Sequence, residues 1–188
     1  MNLVHNLGGP QNWSKKFRRL VDIAKEHAGK SKLQTRHGAI LFNNQHIYQR
    51  SCNQTGHRIH QYTVPAIHAE AMALRYIRNM RPTRGNRLNI LVVRVNNHGH
   101  LDDSKPCAMC VHMMKKYNIN RVYYTDKNGQ LCYIKVNYLD ETHITKGLTM
   151  FVSLYGTRYN LPVNNLTKKS IFLTKTWNTQ KINHNKNK

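Results

Sequence analysis

The side chains best suited to chemistry lie in two short stretches. One is Pro65-Ala66-Ile67-His68-Ala69-Glu70, the other Pro106-Cys107-Ala108-Met109-Cys110. His68, Cys107 and Cys110 make a three-ligand set for zinc. Three protein ligands leave a fourth position open for water, the arrangement that separates catalytic zinc from closed structural zinc. Glu70 is not needed as a ligand and is therefore available to move protons. It is the only carboxylate between Glu26 and Asp102. A lone C-x-x-C also suits a redox dithiol, or a structural zinc site completed by Cys132 and a histidine. A purely structural site has no use for Glu70.

These residues must be brought together by helix entries. Cys107 and Cys110 are three apart, so they share one face of a helix predicted from about Cys107 to Tyr117, with Pro106 at its first turn. The helix dipole and a metal both favour the thiolate there. His68 is expected at the start of a second helix, from Ile67 to about Met80, with Ile67, Ala71, Leu74 and Ile77 as its inner stripe. Residues i and i+2 are about 200° apart inside a helix. His68 and Glu70 therefore reach one site only from a helix entry. Two helix N-termini then converge on one cation, and the thiolates must offset their dipoles.

The remaining pattern supplies a scaffold. Residues 1–12 read as a loose leader. Ser14 caps a helix running to about Ala28, with Phe17, Leu20, Val21, Ala24 and Ala28 on one stripe. Gly38-Ala39-Ile40-Leu41-Phe42 and His46 to Arg50 form a hairpin around Asn43-Asn44-Gln45. A polar loop with His57, Arg58 and His60 leads to the first motif. Leu88 to Val95 is almost continuously apolar, the signal of a central strand covered on both faces. Arg121 to Thr125 is a further strand, followed by the turn Asp126-Lys127-Asn128-Gly129. Met150 to Leu154 supplies one more strand. Helices and strands alternate as in a layered α/β domain. No acid follows Glu141, and residues 156–188 read as a basic extension.

Charge is the unusual property of the whole. The net charge is +22 with eight carboxylates in 188 residues. Such a field favours polyanions: RNA, DNA or nucleotide phosphates. An AT-rich coding sequence accounts for part of the lysine excess but not for the scarcity of acids. Four cysteines, Cys52, Cys107, Cys110 and Cys132, fall short of a disulfide scaffold. A reducing intracellular compartment, cytoplasm or nucleus, is expected. The longest apolar run, Ile90 to Val93, is too short to cross a bilayer, so no membrane association is expected.

At these residues the chain resembles the cytidine and deoxycytidylate deaminase superfamily, which includes tRNA adenosine deaminases. The paired H-x-E and P-C-x-x-C motifs carry the likeness, together with the Gly38-Ala39-Ile40-Leu41 strand and Asn53. The resemblance covers roughly residues 13–135 and implies a three-layer α/β/α cytidine deaminase-like fold with a mixed, about five-stranded sheet; the deaminase domain is expected to span residues 13–155. It implies Zn2+ on His68, Cys107 and Cys110, Glu70 as proton shuttle, and substrate contacts from Asn53 to the sugar and from the Ala69 N–H to the base. The implied reaction is hydrolytic: a zinc-activated water attacks the amine-bearing carbon of cytosine in a nucleoside or nucleotide, and ammonia leaves. His68 to Arg75 is similar to tRNA adenosine deaminases, which points to adenosine or cytosine in RNA as a second substrate class. Ser104-Lys105-Pro106-Cys107 is similar to divergent deaminases of viral or fungal type. Family members are often dimers or tetramers, which implies a homo-oligomer. A nucleic-acid-binding module with structural zinc is the non-enzymatic alternative.

Overall fold

The computed structural model describes residues 4–44, 46–56, 58–59, 62–63, 66–79 and 87–139. Five strands form the body of one sheet: β1 (Arg36–Phe42), β2 (Ile47–Cys52), β3 (Asn89–Val95), β4 (Arg121–Thr125) and β5 (Leu131–Lys135). Among the described residues three α-helices pack on it: α1 (Lys15–Gly29), α2 (Ala69–Arg75) and α3 (Ala108–Lys116). The spatial order is β5-β4-β3-β1-β2. Only β3 and β4 run parallel, joined through α3; the other neighbours are antiparallel. The sheet is therefore mixed, and β3 is its central strand, buried along nearly its whole length as its apolar run requires.

Strand alternation divides the core into two halves. Ala39, Leu41, Ile90, Val92, Val122 and Tyr124 point to the side covered by α2 and α3. Ile40, Phe42, Leu91, Val93 and Tyr123 point to α1. Three layers result, with one helix on one face and two on the other. Helix α1 follows its sequence closely: the Ser14 hydroxyl accepts from the Phe17 N–H at 3.4 Å, and Leu20, Val21, Ala24 and Ala28 are buried. Gly38 lets α1 lie against β1, because a Cβ there would run into the carbonyl of Ala24. Asn118, with φ of 54°, takes the left-handed turn that ends α3.

Several elements differ from expectation. His5–Asn6 does not belong to a loose leader: it pairs with β5 as a short edge strand, opposite Tyr133 and Cys132. The Trp13 indole then donates to the Gly8 carbonyl at 2.7 Å and ties the segment down. A polar dipeptide carries no strand signal of its own, so the pairing follows from the exposed edge of β5. Helix α2 is shorter than predicted and tightens into a 3-10 turn over Tyr76–Asn79. Its buried side is Ala69, Glu70, Ala73 and Leu74, displaced from the predicted stripe because Glu70 itself points inward. The expected strand at 150–154 and the basic extension at 156–188 lie outside the described residues, as do His57 and His60. No helix among the described residues is long and apolar enough to cross a membrane.

Candidate metal centre

Both halves of the site are helix entries. His68 is the N-cap of α2 and Cys107 the N-cap of α3, each with extended backbone (ψ of 151° and 164°). Cys110 follows in the first turn of α3. The entry position of His68 removes the angular conflict that a mid-helix H-x-E would create, and imidazole and carboxyl turn toward one region. Nδ1 of His68 lies 3.4 Å from Sγ of Cys107 and 3.4 Å from Sγ of Cys110. Tetrahedral zinc with usual bond lengths separates a nitrogen and a sulfur ligand by about 3.5 Å. All three donor atoms lie within 4.8 Å of one another. One imidazole and two thiols at this spacing fit a zinc ion, and no fourth protein ligand joins them among the described residues.

Protonation in the metal-free chain shows the same closeness. The Cys107 thiol is held well below its usual range, first by the Cys110 thiol donating to it and then by His68. Cys110 is correspondingly pushed up beside the Cys107 thiolate. The Cys107 contact raises His68 to about 9. Glu70 is 4% exposed. Burial raises its carboxyl, and the charge of His68 opposes that rise.

The supports of the site come from the sheet. The Ser51 hydroxyl, on β2, donates to the carbonyl of Ala69 at 2.8 Å and anchors the first turn of α2. Ser104 clamps the approach to α3: its hydroxyl donates to Val92 O at 2.9 Å and accepts from the Thr125 N–H at 2.8 Å. That clamp fixes Cys107 over the C-terminal ends of the parallel strands, where open α/β sheets place their ligands. Gln54–Thr55 pairs with Ala66–Ile67, and this register carries Asn53 alongside His68. The Asn53 side chain is engaged by backbone: Oδ1 accepts from the His37 N–H at 2.8 Å and Nδ2 donates to Thr35 O at 2.6 Å. Ala69 is fully buried as the first residue of α2, so its N–H has no carbonyl within the helix.

Residues 11–126, more than half of the chain, match the family described as the cytidine and deoxycytidylate deaminase zinc-binding region. The chain belongs to this deaminase family. Zinc is the metal of the family, and His68, Cys107 and Cys110 are the residues here that can hold it. Among solved structures, a cytidine deaminase from Burkholderia pseudomallei is similar with a TM-score of 0.50 and 20% identity, over 69% of this chain and 98% of that one. A dCMP deaminase from the cyanophage S-TIM5 in apo form is similar with a TM-score of 0.44 and 19% identity, over 61% of this chain and 86% of that one. The Burkholderia likeness extends to the mixed sheet and its helices and is one of fold. No curated protein matches the chain.

Against this family background two further residues stand near the site. His37 lies two positions before Ala39 on β1, on the side that faces α2 and α3, and is electrostatically coupled to His68 and Cys107. Its place follows from strand alternation alone. Ser51 carried no such signal, since its bond crosses from β2 to a helix 18 residues away.

Proposed function

We propose that this deaminase-family chain is a zinc-dependent hydrolase acting on cytosine in a free nucleoside or nucleotide. The observation that carries the reading is the buried Glu70 carboxyl beside a His-Cys-Cys donor set that leaves one zinc position open. When bound, zinc would supply an acidified water, lowering its pKa to about 7. Everything else is work for the chain. Glu70, its proton affinity raised by burial, takes a proton from the attacking water and gives it to the ring nitrogen. The water oxygen bonds to the amine-bearing carbon; Glu70 then takes the remaining proton of that hydroxyl and delivers it to the amine, the C–N bond breaks, ammonia leaves and a carbonyl remains. The Ala69 N–H holds the base. Asn53 holds the sugar with what its backbone bonds leave over: one further hydrogen on Nδ2 and one further lone pair on Oδ1. The four free cysteines fit a reducing intracellular compartment.

A second reading, deamination of adenosine or cytosine in tRNA or another RNA, is favoured by the net charge of +22. Ammonia release from zinc-loaded protein separates the two. Cytidine, deoxycytidine and their monophosphates are offered first, and a tRNA pool is analysed for inosine and uridine. Turnover of a free cytosine compound supports the first reading. A base change in RNA with no turnover of any free compound overturns it in favour of the second.

A further inference from the structure

The end of the sheet away from the donor set has a trough of its own. Where β3 and β4 begin, two adjoining cavities of about 620 and 470 Å³ open. They share Arg87, Asn120 and Arg121, and so form one trough. Lys135 lines the larger cavity and Lys16 the smaller. Among the described residues no carboxylate lines either one; Asp140 and Glu141 lie outside the described residues. The other polar walls are largely amides, Asn118 and Asn137 among them. From Asn89 to Val95 the strand rises about 20 Å, so the trough is remote from the metal centre at the opposite end.

These four cations face no carboxylate among the described residues, and such a trough suits an anion from outside. Arg121 is already shaped for one. Its guanidinium carbon lies 5.5 Å from the centroid of the Tyr133 ring, and its Nε is buried with no hydrogen-bond partner among the described residues. An arginine resting on an aromatic ring offers a planar fork that suits phosphate. Beside it, Tyr138 is 56% exposed, with the Lys135 ammonium 6.0 Å from its ring centroid. An exposed aromatic among cations and amides is the surface on which unpaired bases stack. The four cations are shared out over two adjoining cavities, Lys135 in one and Lys16 in the other, which suits a chain of phosphates better than a single group.

We propose that this trough binds single-stranded nucleic acid, with backbone phosphates on Arg87, Arg121 and Lys135 and a base on Tyr138. The site is separate from the zinc-side pocket and does not depend on which base that pocket deaminates.

The test is fluorescence anisotropy of labelled single-stranded 12-mer RNA and DNA with the full, zinc-loaded chain, across a salt series. Arg87 and Lys135 are exposed, so Arg87→Gln/Lys135→Gln removes two charges without touching the core. Lys32→Gln/Lys127→Gln removes the same charge from exposed positions elsewhere and is the control. The trough variant should lose about tenfold or more in affinity and about 1.4 from the salt slope, at roughly 0.7 per phosphate contact for single strands. The control should lose less than threefold, and deamination of any free compound the native protein turns over should be unchanged in both. Tyr138→Ala should weaken binding at least threefold with the salt slope unaltered. Equal losses in trough and control variants would overturn the assignment. So would binding of a nucleoside triphosphate at the trough without binding of either 12-mer, which would make it a small-anion site.

Discussion

The hydroxyl of Ser51 lies 2.8 Å from the carbonyl oxygen of Ala69, and this bond joins a strand of the sheet to the residue between His68 and Glu70. Side chains on a seven-residue helix are only as well placed as the helix. Ser51→Ala removes the anchor but strands no polar group, because the Ala69 carbonyl also accepts within α2. The expected cost is about 1 kcal/mol in urea denaturation. The larger effect should be on rate: a kcat about tenfold lower with zinc content unchanged, since small displacements of a reacting group are costly.

In the proposed mechanism Glu70 acts on the substrate and does not hold the metal. Glu70→Gln keeps the size and the burial but cannot carry a proton. Turnover should fall by at least about 10²-fold, while metal analysis still finds one zinc per chain. A variant that keeps most of its activity would remove Glu70 from the mechanism.

The metal should also hold the fold. His68 and Cys107 cap two helices whose only shared ligand would be zinc, so binding energy becomes folding energy. Chelation should lower the melting temperature by on the order of 10 °C. Zinc should restore it and magnesium should not, because thiolates prefer the softer ion. Cys107→Ala should melt at the chelated temperature with or without added zinc.

Much of this arrangement was legible in the residues, and the limits have physical causes. Helix α1 and strand β3 were readable because each carries its own signal: a cap and an apolar stripe in one, an unbroken apolar run in the other. The ligands were readable because metal chemistry restricts both residue type and spacing. The inner face of α2 was misread because a buried carboxyl, Glu70, occupies a position that packing alone would give to an apolar residue. The edge strand at His5–Asn6, the Ser51 anchor and the Ser104 clamp were hidden because each depends on a partner far away in sequence. The cationic trough was hidden for the same reason, its cations being drawn from four separate segments.

His37 gives the fold a pH dependence whose sign can be worked out. Burial first, then the charge of His68, lowers it from the ordinary 6.5 to about 4. The unfolded chain therefore binds the extra proton first. The stabilisation from neutral His37 is complete above about pH 6.5 and is lost as the pH falls toward 4. By pH 5 the loss amounts to about 2 kcal/mol. His37→Gln does not titrate, so denaturation at pH 7 and pH 5 should show a smaller fall in the variant than in the native chain. Equal falls would mean that His37 is as easily protonated in the fold as in the unfolded chain.

Gly38 is where α1 meets the sheet. Its φ is ordinary, so the demand is for space and not for backbone freedom. A Cβ at this point would collide with the Ala24 carbonyl and press on the Ala28 N–H. Both belong to helix backbone, which cannot rotate out of the way as a side chain would. Gly38→Ala should therefore push α1 off β1 and cost about 3 kcal/mol or more, at the upper end for overpacking. The damage should remain on the α1 side. Zinc content should stay near one per chain, because His68, Cys107 and Cys110 are held from the opposite face of the sheet.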